Sequence, residues 1–203
     1  MDPIEVLWGT IAVIFILVGL VRGFLKELGV TIVLIVMLFG YDRLIPFLED
    51  FIDKGGLLAI GVAPLNHDPS ALTPTATGTL LWLVLTILTV LITFVAYQGE
   101  TLTYEGHNPR FPVGTFLSLV VGSVNAYLLT GTLWWILDRY HYPLQQIKLI
   151  DPTQLTDFAH SILNGHLLPM DLLGNGAIPP TAGFGSVWLP LILVVLIVLK
   201  VLR

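Results

Sequence analysis

The chain has no cysteine, which excludes disulfides, thiolate metal sites and cysteine nucleophiles together. It is also short of charge. Only 11% of its 203 residues are Asp, Glu, Lys or Arg, against about 25% in ordinary soluble domains. So few charges cannot clothe a water-facing globule of this size, and lipid must cover much of the surface. A formal net charge of −5 excludes a broad basic surface, so no nucleic-acid partner is expected. Imidazoles are missing from the apolar runs. His67, His107, His141, His160 and His166 all lie between or beyond them, which excludes a bis-histidine haem in the membrane core. His160 and His166 are six apart and share a helix face poorly, so no metal site is expected there. Serine-hydrolase, zinc-protease, P-loop and dinucleotide fingerprints are absent. The expectation is a protein without cofactor, metal or catalytic activity.

Hydrocarbon is what the chain has in quantity: 55% of residues are hydrophobic and the mean hydropathy is +0.87. Crossing a bilayer takes about 20 mainly apolar residues in a helix. Five runs qualify, at about 4–21, 25–42, 78–97, 113–137 and 185–202. Glu5 lies near the start of the first, Lys26, Glu27 and Asp42 at the ends of the second and Lys200 near the end of the fifth; the apolar cores between them carry no ionisable side chain. The predicted fold class is all-α: a polytopic helical bundle forming one membrane domain over 1–203, with about five transmembrane helices. The N-terminus lacks the basic region of a secretory signal, so the first run is expected to be retained.

Between the first two runs lies GLVRGFLKELG, Gly19 to Gly29. One helix over 4–41 would be about 57 Å long, too long for a single crossing. The chain must therefore reverse here, with glycines to end and restart the helices. Arg22 and Lys26 are four apart and are expected to face water or lipid phosphates at a hairpin tip. Two loop segments read as amphipathic helices resting on the membrane or the bundle, at about 43–54 and 152–164. The second has Asp151 as N-cap, Pro152 in the first turn, and Leu155, Phe158, Ala159, Ile162 and Leu163 along one face. Segments 55–65 and 165–180 are apolar but too short or broken to span. They fold over the bundle end or re-enter the membrane.

In lipid, helices associate through small residues and hydrogen bonds. The fourth run provides a ladder at spacing four, Gly114, Ser118, Gly122, Ala126 and Thr130, with Asn125 beside it as the most polar group at depth. Asn125 is expected to bond a neighbouring helix. Thr79, Thr86 and Thr93 form a stripe on the third run that can face it.

The hairpin residues Gly19, Arg22, Gly23, Phe24, Glu27 and Leu28, with Lys26 between them, resemble the Gly-x-x-Arg-Gly-Phe-x-x-Glu-like hairpin of the colicin V production protein family. Arg110, Gly114 and Gly122 look like that family's later glycine-spaced helix. The resemblance covers about residues 2–137; the fifth run and the 138–184 insert depart from the family's usual four spans. It implies a bacterial inner-membrane protein, associated with export and envelope processes, without an established catalytic activity.

The functional expectation is a non-catalytic scaffold or accessory subunit of a membrane protein assembly, export-related or energy-transducing. It would bind lipid and other membrane proteins as a homo- or hetero-oligomer. The alternative is a channel or carrier for a small solute. Basic residues favour the N-terminus outside and the C-terminus inside, placing Arg22 and Lys26 in the cytoplasm.

Overall fold

The computed structural model describes residues 3–53, 74–98, 111–143, 155–165 and 167–172. Among these, all regular structure is helical: α1 (Pro3–Arg22), α2 (Phe24–Asp53), α3 (Pro74–Gln98), α4 (Val113–Arg139) and α5 (Asp157–Asn164). The first four are long and apolar enough to cross a membrane. The fifth run, 185–202, segment 55–65 and residues 173–180 lie outside the described residues.

One residue reverses the chain between α1 and α2. Gly23 adopts φ 86°, a conformation that side chains strongly disfavour. Yet α1 and α2 touch little beyond that turn. The most extensive helix contact is α1 on α4, followed by α2 on α4. Gly19 and Gly122 explain this, because their backbones meet closely enough to leave no room for a side chain. A Cβ built on Gly19 would lie 2.7 Å from the Gly122 Cα. Ile4 and Leu137 share a second cluster at the other end of the same pair. The two helices thus run antiparallel in one register, and α4 becomes the central element. Leu34, Leu38, Leu85 and Ile136 are fully buried where α2, α3 and α4 meet. Tyr41 ties α2 to α3 by sharing a 2.7 Å hydrogen bond with Thr89.

Residues 43–53, read from sequence as a separate amphipathic helix, continue α2. The helix runs on through Pro46, because Leu44, Ile45 and Leu48 remain packed on the bundle. Proline there removes only one backbone donor. The Arg43 side chain is 91% exposed, 3.7 Å from Asp42.

The second loop helix starts later than the sequence suggests. Leu155 and Thr156 are not helical, and Thr156 is the N-cap, its hydroxyl accepting from the Ala159 N–H at 3.4 Å. Asp151 and Pro152 lie outside the described residues. Phe158, assigned above to the packed face, is instead 74% exposed.

Candidate functional site: a buried carboxylate and a re-entrant turn

Glu27 is completely buried, in the first turn of α2. Its Oε2 accepts hydrogen bonds from the Asn125 amide at 2.8 Å and the Tyr97 hydroxyl at 3.2 Å. Its Oε1 faces the Arg22 guanidinium at 3.4 Å. Asn125 also donates to the Glu27 backbone carbonyl at 3.0 Å and accepts from the Thr31 hydroxyl at 2.7 Å. Arg22 lies 4.6 Å above the Tyr97 ring, and Phe15 meets that ring edge-on at 5.1 Å. All four long helices contribute to this one cluster.

The cluster lies inside the apolar zone. In the α1–α4 register, with Gly19 opposite Gly122, Arg22 is level with Leu119. From there α4 continues six residues outward to Val113, about 9 Å, and both Val113 and Phe116 expose apolar side chains. This corrects the expectation that no ionisable group sits among the spans. It also separates the two cations of the hairpin: Lys26 is exposed, whereas the Arg22 side chain is only 20% exposed and turns inward.

The remaining sequence candidates divide cleanly. Gly114, Ser118, Gly122 and Ala126 are buried, and Thr130 is half-buried. Ser118 and Thr130 bond back to their own helix, to the Gly114 and Ala126 carbonyls. Gly122 receives α1, so this part of the ladder is occupied within the chain. Phe24 is half-buried beside the turn. On α3 Thr89 makes an interhelical hydrogen bond, with Tyr41; sequence reasoning missed it because it lies outside the spacing-seven stripe. Thr86 is half-buried, and the buried Thr93 hydroxyl has no hydrogen-bond partner.

The second feature is at the opposite end. The Glu5 carboxylate accepts from the Thr156 backbone N–H at 2.9 Å and from its hydroxyl at 2.7 Å, fixing the start of α5 beside the start of α1. From there α5 descends along the bundle. Ala159 packs with Ile4 and Leu137. Beyond Gly165, Leu167 accepts a hydrogen bond from Tyr127, Pro169 covers Gly131, and Asp171 accepts from the Trp135 indole at 2.9 Å. Gly131 is six residues below Leu137 and Tyr127 is ten, depths of about 9 and 15 Å. The chain therefore enters to about mid-bundle and turns back. Residues 167–172 thus lie against the side of α4 near its middle.

On α5 this leaves a stripe facing away from the bundle: Asp157, His160, Ser161 and Asn164 are all exposed. Among the described residues no group of three or more His, Asp or Glu side chains is placed to hold a metal ion.

Beside this end, Arg139 grips Glu49 through Nε at 3.3 Å and Nη2 at 3.1 Å, and Tyr140 donates to the same carboxylate at 3.2 Å. Burial, with the neighbouring Glu49 charge, pushes the Tyr140 hydroxyl up to about 12, so it stays a donor. A cleft of ≈ 140 Å³ opens between α2 and α4 near Asp42, Trp135 and Arg139. It is far from Glu27, which lies fifteen residues back along α2 from Asp42, about 22 Å.

No protein-family model, no curated protein and no solved structure matches this chain. The functional reading therefore rests on the geometry. The chain forms an all-helical bundle of membrane-spanning character.

Proposed function

We propose that this protein is a non-catalytic membrane subunit that works by contact, as a scaffold or accessory component of a membrane protein assembly. The observation that carries the reading is the polar stripe on α5. Asp157, His160, Ser161 and Asn164 point outward from an element that descends below the bundle end. The Ser161 hydroxyl bonds back to the Phe158 carbonyl, but acyl chains cannot satisfy Asp157, His160 and Asn164, and re-entrant backbone is tolerated only where protein or water covers it. In the apolar run at 187–199 the one side chain that can hydrogen-bond is Trp188, a single donor, too few for three polar groups. A helix of another membrane protein, or of a second copy, supplies the cover in this reading.

The resemblance to the colicin V production family belongs to the same proposal. It rests on the sequence positions Gly19, Arg22, Gly23, Phe24 and Glu27. With it comes a bacterial inner membrane; the basic residues of the first hairpin favour an N-terminus outside. A channel or carrier is the second reading, favoured by the carboxylate at Glu27, since ionisable groups among spans are costly and tend to serve a function.

The natural absence of cysteine makes the decisive test direct. Ser161→Cys and Asn164→Cys are introduced singly into the full chain in native membranes. A partner-covered stripe gives crosslinks to another protein with a bifunctional thiol reagent and little reaction with a charged, membrane-impermeant thiosulfonate. Rapid reaction with the impermeant reagent without crosslinks means that water lines the stripe, which overturns the scaffold reading in favour of the carrier.

A further inference from the structure

We propose that Glu27 is a reversible proton-binding site within the membrane, with Arg22 as a counter-ion that withdraws toward the lipid surface when the proton arrives. The inference goes beyond the scaffold reading and does not depend on what covers α5.

The first argument is the order of the contacts. Glu27 is held at 2.8 Å by Asn125 and 3.2 Å by Tyr97, both neutral, while its cation makes one contact at 3.4 Å. Charge-assisted N–H···O bonds normally lie at about 2.7–2.9 Å and are often bidentate with arginine. Neutral side chains hold this carboxyl more closely than its counter-charge does. Binding a proton therefore sacrifices one weak ion contact and leaves the amide anchored, since Asn125 also bonds the Glu27 backbone carbonyl.

The second argument is that both charge states find partners. A tyrosine hydroxyl donates to a carboxylate and equally accepts from a carboxylic acid, so Tyr97 serves either form by turning its O–H. Arg22 has somewhere to go. It is the last residue of α1, is part-exposed, and rests on the Tyr97 ring. Its aliphatic stem allows the head to reach a lipid phosphate at the interface. The proton itself comes from water, so the exchange needs no other reactant.

The third observation is independent of the pair. Thr93 is buried, its hydroxyl has no partner, and it lies one helical turn before Tyr97 on α3. Buried polar groups are nearly always satisfied, and exceptions call for a reason such as a transient water. A spare hydroxyl one turn from Tyr97 is suited to binding a water that reaches the site.

The charged and titratable groups around Glu27 are few. Arg22 faces it from α1 and Tyr97 from α3, Lys26 on α2 is exposed, and α4 presents the uncharged Asn125 with no charged residue from Val113 to Leu137.

The test uses the full chain in native membranes and dicyclohexylcarbodiimide, a lipid-soluble reagent that modifies protonated carboxyls, read by peptide mass spectrometry. Glu27 is expected to be labelled in acidic buffer and to lose the label in alkaline buffer. A water-soluble carbodiimide should leave it unmodified. The peptide-mapped label needs no variant to fold; a carboxylic-acid C=O infrared band, present in the wild type at acidic pH and missing in Glu27→Gln, is the second readout. Absence of both label and band at every pH at which the protein stays folded would mean a permanent structural ion pair and would overturn the proposal. Labelling that ignores pH would overturn it as well.

Discussion

Replacing Gly19 by alanine adds one methyl group at the tightest point of the α1–α4 contact. That methyl would stand 2.7 Å from the Gly122 Cα and 3.4 Å from the Ser118 carbonyl oxygen. Both neighbours are backbone, so no rotamer change relieves the clash and the helices must separate. Carbon atoms pack best at about 3.5–4.0 Å, so the separation needed is about 1 Å. Overpacking of this kind costs about 1–3 kcal/mol. Alanine also gains about 1 kcal/mol over glycine as a helix former, which blurs a single measurement. Gly9, on the same helix, removes that ambiguity. A Cβ there meets nothing within 4 Å, so Gly9→Ala receives the helix gain alone. The difference between the two variants isolates the clash, about 1–3 kcal/mol, or a factor of roughly 5 to 150 in the folding equilibrium. Equilibrium unfolding in mixed micelles of mild detergent and sodium dodecyl sulfate, followed by tryptophan fluorescence and circular dichroism, measures it. Equal midpoints for the two variants would refute the close approach of α1 and α4. Gly122→Leu should fail by the same mechanism and more severely, while Leu119→Ala, at an exposed position, should be mild.

Three further outcomes follow from the geometry. Asn125→Ala strips Glu27 and Thr31 of their shared amide and should destabilise the bundle by about 1–3 kcal/mol, given the usual strength of hydrogen bonds to charged groups; the same unfolding assay checks it, and an unchanged midpoint would contradict the network. Gly131→Ala places a methyl 2.5 Å from the Pro169 ring, so the turn at 167–172 should lift from α4. Loss of the Asp171 bond to the Trp135 indole should then shift tryptophan emission, tested in a background that retains Trp135 as the only indole. Thr156→Val removes both the helix cap and a hydrogen bond to Glu5, and should cost about 0.5–2 kcal/mol of local stability. Hydrogen exchange should accelerate in α5 while α4 stays protected.

Much of this architecture is legible from the sequence because membrane insertion depends on a local sum. Hydropathy over a window, helix length against bilayer thickness, and a glycine where the chain must reverse are all properties of neighbouring residues. They locate the four long helices among the described residues and a turn within Gly19–Gly29 without reference to a fold; only the structure puts it at Gly23. The small-residue ladder on α4 is equally readable as a surface for close packing, although its partner is not. Position along the chain suggests α2 as the partner of α1, but the Gly19–Gly122 contact puts α4 there instead.

What only the tertiary structure decided is where the polar groups end up. Glu27 reads as a hairpin charge because its sequence neighbours are Lys26 and Arg22; it is buried because Tyr97 and Asn125, 70 and 98 residues away, provide donors that no local pattern announces. The same holds for α5. Its apolar spacing predicts a helix resting on a surface, whereas Glu5 fixes its start at the bundle end and Tyr127, Gly131 and Trp135 draw the following turn inward. Burying a charge or a bare turn is costly alone and tolerable only with distant partners, so depth in the bilayer is a property of the assembled bundle.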